Sequence, residues 1–411
     1  MRPFYVYCAP EGFLYTGHMQ CRICFKDSAG EFLNLGKQPL ANKYPKEEEF
    51  QKEDFFPLTV FFCTSCKTVQ LGTVVSRERM FEDYYYLSSV NPGLVRHFEA
   101  LAKSLSHSKF VVDIGSNDGI FLRPLKELGV KAVGIEPSIN VSKIANDQGL
   151  ETVTAFFTPV SARTLVSEHG RADTVVTSSV FTHLEDPHQF IEAVKDVMTD
   201  DGSFIIEVEY IGNMLKNVQF ERFYFDRIFY YSVTSLRDLF AAHDMYISDV
   251  EHIEPHGGSI RVTTHKKGFG PAPTDRFTAS LTKEAETLTE STLTTFTKLS
   301  GEYVAAFREK LLQYKQSGKT VAGYGAPARV ATICNFGAIG PEHIDFIVDD
   351  SPLKQNRFSP GTHIPIVPNS YLSENERDVL VIFAYEYFED IKKKLAGKHT
   401  FLIPIPPREV E

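Results

Sequence analysis

Four of the six cysteines form two Cys-x-x-Cys pairs, a spacing typical of metal sites. Cys21 and Cys24 make the first pair, and Cys63 and Cys66 make the second. Each pair can direct two thiolates at one ion, and four thiolates form the closed tetrahedral set that structural zinc prefers. We therefore expect a structural Zn²⁺ site, with a redox-active pair as the alternative. The two remaining cysteines stand alone and are interpreted as free thiols.

A second group of residues surrounds a glycine-rich turn that follows the apolar run FVVDIG. Glycine lets the backbone approach a ligand, and asparagine tolerates left-handed dihedral angles at the position of Asn117. Glu136 ends the next apolar run, where a carboxylate can accept hydrogen bonds from the hydroxyls of a ribose. The candidate cofactor-binding residues are Asp113, Gly115, Asn117, Asp118, Gly119, Glu136 and Phe157.

The cofactor indicated by this turn is S-adenosylmethionine (SAM). An NAD site would need a Gly-x-Gly-x-x-Gly turn, which the sequence lacks. The observed Asp-x-Gly-x-x-x-Gly pattern with an acidic residue after the second strand favours SAM. A structural turn without a ligand is the alternative.

The elements that position these residues alternate between apolar runs and helical patterns. Buried strands are predicted at FVVDIG, KAVGIEPS, ADTVVTSSV and GSFIIEVEY, with helices between them. This alternation predicts a parallel sheet with helices on both faces. A helical stretch from Asp275 to Gly318 then leads to a second, smaller α/β pattern.

The chain is therefore predicted to be an α/β protein with three domains. Residues 1–90 form a small zinc-binding domain, and residues 91–268 form a central Rossmann-like class I methyltransferase sheet. Residues 269–411 comprise the helical connector and a smaller Rossmann-like domain.

Charge and hydropathy limit the possible partners. The net charge is −10, whereas proteins that bind the phosphate backbone are more often basic, so no nucleic-acid polymer is expected. No apolar run reaches the roughly 18 residues that span a membrane, and the first residues lack the features of a signal peptide. We expect a cytoplasmic monomer, with an oligomer as the alternative.

Motifs along nearly the whole chain resemble the sugar C-methyltransferases that act on nucleotide-linked 4-keto-6-deoxy sugars. In the order of that family they are CRIC, LGKQPLANKYP, CTSCKTVQLG, MFEDYYYLSS, VVDIGSNDG, GIEPS, FTHLEDP, HGGSIRV, GYGAPARVATICN and DDSPLKQNRFSPGTHIPI. The resemblance implies the same three domains, with SAM and zinc as cofactors. It also implies that a TDP- or GDP-linked sugar is methylated at its third carbon, through an enolate formed beside the ketone at the fourth carbon.

One motif departs from the family pattern. Members usually carry Tyr-His-Glu-His, whose last histidine is the expected base, and we align this run with Tyr224-Phe225-Asp226-Arg227. Arginine cannot accept a proton at working pH. We consider two replacements for the base. One is Tyr224, with a pKa lowered by Arg227, and the other is His183, with Arg227 stabilising the enolate oxygen. Either side chain could instead be structural.

Several residues are candidate contacts to the nucleotide sugar: Tyr84, Tyr86, His256, Gly258, Arg261, Arg329, Lys354 and Arg357. The resemblance places one of the two tyrosines at the sugar. Arg329 stands at a predicted helix start, which favours anions, and Lys354 and Arg357 could meet a pyrophosphate. Turns or solvated charges without a ligand are the alternatives.

Three other functions are compatible with these observations to different degrees. A binding protein could retain the cofactor and sugar sites without turnover. An NAD-linked sugar oxidoreductase or epimerase is disfavoured, because both its glycine turn and a suitable Tyr-x-x-x-Lys pair are missing. Methylation at a neighbouring carbon, or on a sugar of other stereochemistry, would explain a differently placed base.

Overall fold

The computed structural model describes residues 17–76, Met80, 88–395 and 399–410. The predictions for Tyr84 and Tyr86 lie outside the described residues. Three β-sheets organise the described part, and the predicted α/β fold class is confirmed. Among the described helices, none is long and apolar enough to cross a membrane.

The N-terminal sheet is antiparallel, with the strand order β1-β2-β3-β4-β10. Leu58, Val60 and Phe62 alternate along β3 and are buried, because alternate side chains of a strand share a face. The last strand, β10, comes from the central part of the chain and completes the sheet. The strands are β1 (His18–Met19), β2 (Ala29–Pro39), β3 (Phe55–Cys63), β4 (Val69–Leu71) and β10 (Phe229–Tyr230).

The central sheet has seven strands in the order β11-β12-β9-β8-β5-β6-β7. The five strands from β9 to β7 are parallel, and β12 is antiparallel to both of its neighbours. Every residue of β5 is buried, as expected for a parallel strand covered on both faces. The strands are β5 (Phe110–Ile114), β6 (Lys131–Ile135), β7 (Thr152–Val153), β8 (Ala172–Ser178), β9 (Met198–Glu209), β11 (Met245–Ile253) and β12 (Ser259–Lys266).

Helices flank this sheet, and their starts carry clear sequence signals. The first helix begins at Pro92, and the Asn91 side chain before it accepts hydrogen bonds from the backbone N–H groups of Gly93 and Leu94. The helices are α1 (Pro92–Ser104), α2 (Leu122–Glu127), α3 (Ile139–Asp147), α4 (Pro159–His169), α5 (Pro187–Val197), α6 (Ile211–Lys216) and α7 (Val233–Ala241).

The C-terminal sheet also has seven strands, but they are only two to four residues long. Their order is β15-β16-β14-β13-β17-β18-β19, with antiparallel strands at both edges. They are β13 (Val321–Tyr324), β14 (Ile347–Val348), β15 (Arg357–Phe358), β16 (Pro365–Val367), β17 (Val379–Ile382), β18 (Thr400–Ile403) and β19 (Arg408–Val410).

The predicted helical connector forms two helices, α8 (Asp275–Thr287) and α9 (Glu290–Gln316). The C-terminal sheet is accompanied by α10 (Arg329–Gly337), α11 (Asn369–Glu374) and α12 (Phe388–Lys394). Short 3₁₀ helices occur at Glu47–Lys52, Ser88–Val90, Phe181–His183, Phe220–Arg222, Pro255–Gly257 and Tyr385–Tyr387.

Residues 220–231, which we call the aromatic segment, form one strand of the N-terminal sheet and bond to segments that flank the other two sheets. The segment supplies β10 to the N-terminal sheet. The N–H of Ile228 donates to the carbonyl of Thr182 beyond β8, at 2.9 Å. The hydroxyl of Thr332 on α10 donates to a backbone carbonyl of the segment at 3.0 Å. The segment therefore fixes how the predicted catalytic residues lie between the three sheets.

Candidate active site

The four paired cysteines converge on one point. Sγ of Cys21 lies 3.6 Å from that of Cys66, and Sγ of Cys24 lies 3.6 Å from that of Cys63. All four sulfur atoms lie within 4.8 Å of one another. A tetrahedron with zinc–sulfur bonds of roughly 2.3 Å would separate the sulfurs by roughly 3.8 Å. The quartet therefore fits a tetrahedral zinc ion.

The local backbone shapes each cysteine pair into a tight turn. Phe25 and Lys67, each placed one residue after a pair, adopt left-handed φ values of 58° and 61°. The hydroxyl groups of Ser28 and Thr68 each lie 3.1 Å from a thiol of the second pair. Such contacts orient metal ligands and neutralise part of their charge.

The glycine-rich turn after β5 leaves no space for side chains at its two glycines. Gly115 has a φ of +78°, and a Cβ there would lie 2.2 Å from Val180. Gly119 has a φ of +81°, and a Cβ there would lie 2.4 Å from Leu150. Asn117 adopts a φ of 49°, in the left-handed region that asparagine tolerates.

Glu136 closes this turn from the end of β6. It is buried, and its two carboxylate oxygens accept hydrogen bonds from the N–H groups of Asn117 at 3.1 Å and Ser138 at 2.9 Å. Each oxygen retains a lone pair for a further donor. Asp118 is instead bound to the preceding segment, because its carboxylate accepts hydrogen bonds from Ser89.

A cavity of about 1350 Å³, including its open mouth, lies at the carboxyl ends of β5, β6, β8 and β9. Ligands collect at this edge of open parallel sheets. The predicted cofactor residues that line it are Gly115, Asn117, Glu136 and Phe157. Those that do not line it are Asp113, within β5, and Asp118 and Gly119, within the turn.

Several ionisable residues line the polar end of this cavity: His97, His183, Glu207 and His256. Nδ1 of His183 contacts the backbone carbonyl oxygen of Asp226. Since a carbonyl only accepts hydrogen bonds, we assign the hydrogen to Nδ1 and the lone pair to Nε2. Burial, and then the positive charge of Arg227, lower the pKa of His183. At neutral pH this imidazole is therefore uncharged and can accept a proton.

Tyr224 and Arg227 lie behind the cavity and are not among the residues that line it. Arg227 forms an ion pair with Glu209 on β9, and its guanidinium carbon lies 4.9 Å from the centroid of the Tyr224 ring. Burial raises the pKa of Tyr224 to about 12, and Arg227 offsets only part of that rise. The prediction that Arg227 gives this phenol a low pKa is therefore wrong.

The predicted sugar-binding turn reaches the cavity through His256, which has a left-handed φ of 56°. Gly258 follows with a φ of +110°, and a Cβ there would lie 2.3 Å from Nδ2 of Asn213. Arg261 does not line the cavity, and its Nε donates to Glu207 at 2.8 Å. The turn thus places His256 and Ser259 at the cavity, while Gly258 and Arg261 pack against other parts of the protein.

The predicted phosphate-binding cations lie away from this cavity and are paired within the protein. Arg329 lies 2.8 Å from the carboxylate of Glu386. Nζ of Lys354 donates to the carbonyl of Ala326 at 3.0 Å. Arg357 donates to a backbone carbonyl of the N-terminal unit at 3.0 Å. Among the described residues, Nη1 of Arg329 has no hydrogen-bond partner, so this cation can donate to a phosphate without losing Glu386.

The turn after β13 repeats the arrangement found around Glu136. Asp349 follows β14 and accepts hydrogen bonds from the N–H groups of Ala326 at 2.7 Å and Ser351 at 2.9 Å. The hydroxyl of Tyr44 donates to the carbonyl of Ala326 at 2.6 Å. A side chain of the N-terminal unit therefore covers this second turn.

Three charged or ionisable groups of the region were not predicted from the sequence. Arg222 shares the carboxylate of Glu386 with the predicted Arg329. Glu207 had a readable signal, because it and Glu209 interrupt an otherwise apolar strand pattern. No sequence signal marks His97, which reaches the cavity only because α1 packs beside β9.

Comparisons with known proteins agree with this organisation. Three family models match the chain: "zinc binding domain" at residues 21–81, "Methyltransferase domain" at 77–248 and "C-methyltransferase C-terminal domain" at 254–406. The chain is 31% identical to the C-methyltransferase NovU of Streptomyces niveus over 409 residues, which cover 95% of this chain and 96% of that protein.

Other matches cover only part of the chain. An uncharacterized methyltransferase of Alkaliphilus oremlandii is 29% identical over 153 residues, or 34% of this chain and 63% of that protein. The crystal structure of magnesium protoporphyrin IX methyltransferase from Synechocystis with bound SAM covers 43% of this chain and 80% of that chain. It has a TM-score of 0.33 and 14% identity.

Loss of one zinc ligand should unfold the N-terminal sheet. We expect Cys24→Ser to lose the metal and to lower the free energy of unfolding by about 3 kcal/mol or more, because a structural zinc site contributes its binding energy to folding. Zinc content and thermal melting measure both effects. Cys334→Ala removes an unrelated thiol and should retain one zinc per chain. Full zinc content in Cys24→Ser would contradict the assignment of the quartet.

Asp113 should make stability depend on pH. Burial, together with Glu136 and Glu207, raises its pKa to about 8. Between the unfolded pKa of 3.8 and this value, only the unfolded state releases the proton, so stability falls as pH rises. Relative to wild type, the free energy of unfolding of Asp113→Asn should rise by about 3 kcal/mol between pH 5 and pH 7, at roughly 1.4 kcal/mol per pH unit. Denaturant unfolding at several pH values measures this gain, and the exposed substitution Asp147→Asn should show no such trend.

Proposed function

The chain belongs to the SAM-dependent C-methyltransferase family that includes NovU, and we propose that it methylates the third carbon of a TDP- or GDP-linked 4-keto-6-deoxyhexose. The observation that carries this proposal is that the cofactor turn and a neutral histidine line one cavity. The sugar motifs found in the sequence support the substrate class.

The cofactor end of the cavity suits SAM, which supplies a methyl group to a carbon nucleophile. In our proposal the carboxylate of Glu136 binds the ribose hydroxyls through its remaining lone pairs. The backbone at Gly115 and Asn117 lies against the cofactor, since both glycine positions of the turn exclude side chains. Phe157 provides an apolar wall.

We propose His183 as the base that removes the proton from the third carbon of the sugar. Its Nδ1 is held by a backbone carbonyl, its Nε2 carries the lone pair, and its lowered pKa keeps it unprotonated. Tyr224 is the other base considered from the sequence. It is disfavoured because its pKa is raised and because it stands outside the cavity lining.

Arg227 acts in this proposal from behind the cavity wall. Its ion pair with Glu209 fixes the guanidinium, and its charge helps to keep His183 neutral. The backbone carbonyl of Asp226 orients the imidazole, while its carboxylate accepts a hydrogen bond from Asn42 of the N-terminal unit. The run that replaces the family motif thus positions the base without containing it.

The nucleotide sugar is proposed to enter beside the turn that carries His256 and Gly258. For its diphosphate we propose Arg329, because this buried guanidinium shares one carboxylate, that of Glu386, with the neighbouring Arg222. Nη1 of Arg329 is buried and has no hydrogen-bond partner among the described residues, so it can donate to a phosphate oxygen. Lys354 and Arg357 remain candidates for the outer part of the nucleotide.

Mass spectrometry of TDP- and GDP-4-keto-6-deoxyhexoses, incubated with the protein and SAM, tests this function. We expect one sugar to gain a single methyl group with an equal amount of S-adenosylhomocysteine. Methyl transfer to no sugar of the panel would overturn the proposed substrate class. Binding of the sugars without transfer would instead identify a protein that retains only the two sites.

The choice of base predicts different effects for two substitutions. His183→Gln should lower kcat by about 10²–10⁴-fold, the usual contribution of a positioned base. Tyr224→Phe should retain most of the turnover, since it removes only a hydroxyl outside the cavity lining. Steady-state kinetics and calorimetric binding of S-adenosylhomocysteine check both. If Tyr224→Phe lost more activity than His183→Gln while both bound S-adenosylhomocysteine normally, Tyr224 would be the base instead.

A further inference from the structure

A second histidine in the cavity is bound to a carboxylate. His97 is carried by α1, and its Nε2 lies 2.9 Å and 3.0 Å from the two carboxylate oxygens of Glu207 on β9. Both residues line the cavity that contains His183. Their side chains are 14% and 5% exposed, so they face the cavity rather than bulk water. A carboxylate bound to one nitrogen of an imidazole orients the ring and stabilises its cation.

The carboxylate of this pair is held in place by further donors. Arg261 donates from Nε to Glu207 at 2.8 Å, and the hydroxyl of Ser178 donates at 2.9 Å. Burial alone would raise the pKa of Glu207, but His97 and Arg261 outweigh burial and the pKa lies below its ordinary value. Glu207 is therefore an ionised, fixed partner for the imidazole.

The two histidines approach the cavity from opposite faces of the central sheet. The helix of His97 packs through Phe98 and Leu101 into the core on one face. Phe181, two residues before His183, packs into the core on the other face. One imidazole thus adjoins a carboxylate, and the other adjoins the cation of Arg227. Opposite electrostatic surroundings of two titratable groups favour opposite roles in acid–base chemistry.

We propose that His97 is the hydrogen-bond donor that stabilises the enolate oxygen at this site, with Glu207 as its positioning residue. In this step, which rests on the proposed function, Nε2 of His183 takes the proton from the third carbon of the sugar. Nδ1–H of His97 donates to the oxygen at the fourth carbon as negative charge develops there. When the new carbon–carbon bond forms, the carbonyl is restored and His97 keeps its proton. The substrate proton remains on His183, and the methyl–sulfur bond would break with its electron pair left on sulfur, giving S-adenosylhomocysteine.

Other charges near His97 do not replace this role. Several ionisable groups lie on the elements packed around α1: Asp113, Arg123, Lys126, Glu127, Glu207, Glu251, His256 and Arg261. Arg123 and Lys126 bond to the surface turn at Gln148 and Gly149. Burial lowers the pKa of His256, so this residue is a poor cation. Glu207 is therefore the charge that is bonded to His97.

Separate effects on kcat and KM distinguish a hydrogen-bond donor to the enolate from a packing residue. His97→Gln should lower kcat by about 10²-fold, because the donor acts on negative charge that develops in the transition state. The KM for the sugar should change by less than about threefold, since ground-state binding does not use this charge. Glu207→Gln should also lower kcat, because the imidazole loses the carboxylate that orients it.

A matched control separates this effect from general damage. His107→Gln changes an exposed histidine beyond the end of α1 and should retain the wild-type kcat and KM. A kcat of His97→Gln within about threefold of wild type would overturn the proposal while leaving the methyl transfer itself established.

Nitrogen-15 NMR of the histidine rings tests the hydrogen on Nδ1 of His97 independently of any sugar. In wild type saturated with S-adenosylhomocysteine, Nδ1 of His97 should carry hydrogen, and His97→Gln assigns the signal. An Nδ1 without hydrogen would overturn the proposal even if no sugar is turned over, whereas an Nδ1–H with no turnover would show that only the substrate assignment has failed.

Discussion

The hydrogen bonds of the aromatic segment determine how the three sheets meet. The segment gives a strand to the N-terminal sheet, and its Tyr231 bridges to Tyr210 at the end of β9. It also accepts a hydrogen bond from α10 of the C-terminal unit. Since β9 carries Glu207 and Glu209, these contacts also set the polar wall of the cavity. The backbone hydrogen bonds of the aromatic segment therefore hold the sheets together and also position the wall of the cavity.

The second constraint is the need to pair buried charge. Glu207 and Glu209 lie two residues apart on one strand, and each is matched by an arginine, Arg261 and Arg227 respectively. An unpaired carboxylate at these positions would cost several kcal/mol. The guanidinium of Arg227 neutralises the carboxylate of Glu209, which is buried beside the site. This cation also depresses the basicity of His183.

Local patterns were sufficient for the parts of the molecule that are local in sequence. The cysteine spacing, the parallel strands and the glycine turn were predicted, since each depends on neighbouring residues. The pairing of β10 with β4 was not, because no local signal joins segments so far apart. The prediction of a low pKa for Tyr224 was wrong for a related reason, because the burial that raises this pKa depends on the whole fold. His97 could be recognised as a cavity residue only from the structure, in which α1 packs beside β9.

Strand β10 makes the catalytic cavity depend on the zinc-binding domain. It belongs to the sheet that the cysteine quartet closes, yet it continues directly from the residues that hold His183 in position. A culture starved of zinc should therefore lose methyl transfer together with the N-terminal fold. For the same reason, a bioreactor that runs this enzyme needs trace zinc in its medium. Strong chelators in a purification buffer should inactivate the cavity that holds His183, although the metal binds at the cysteine quartet and not in that cavity.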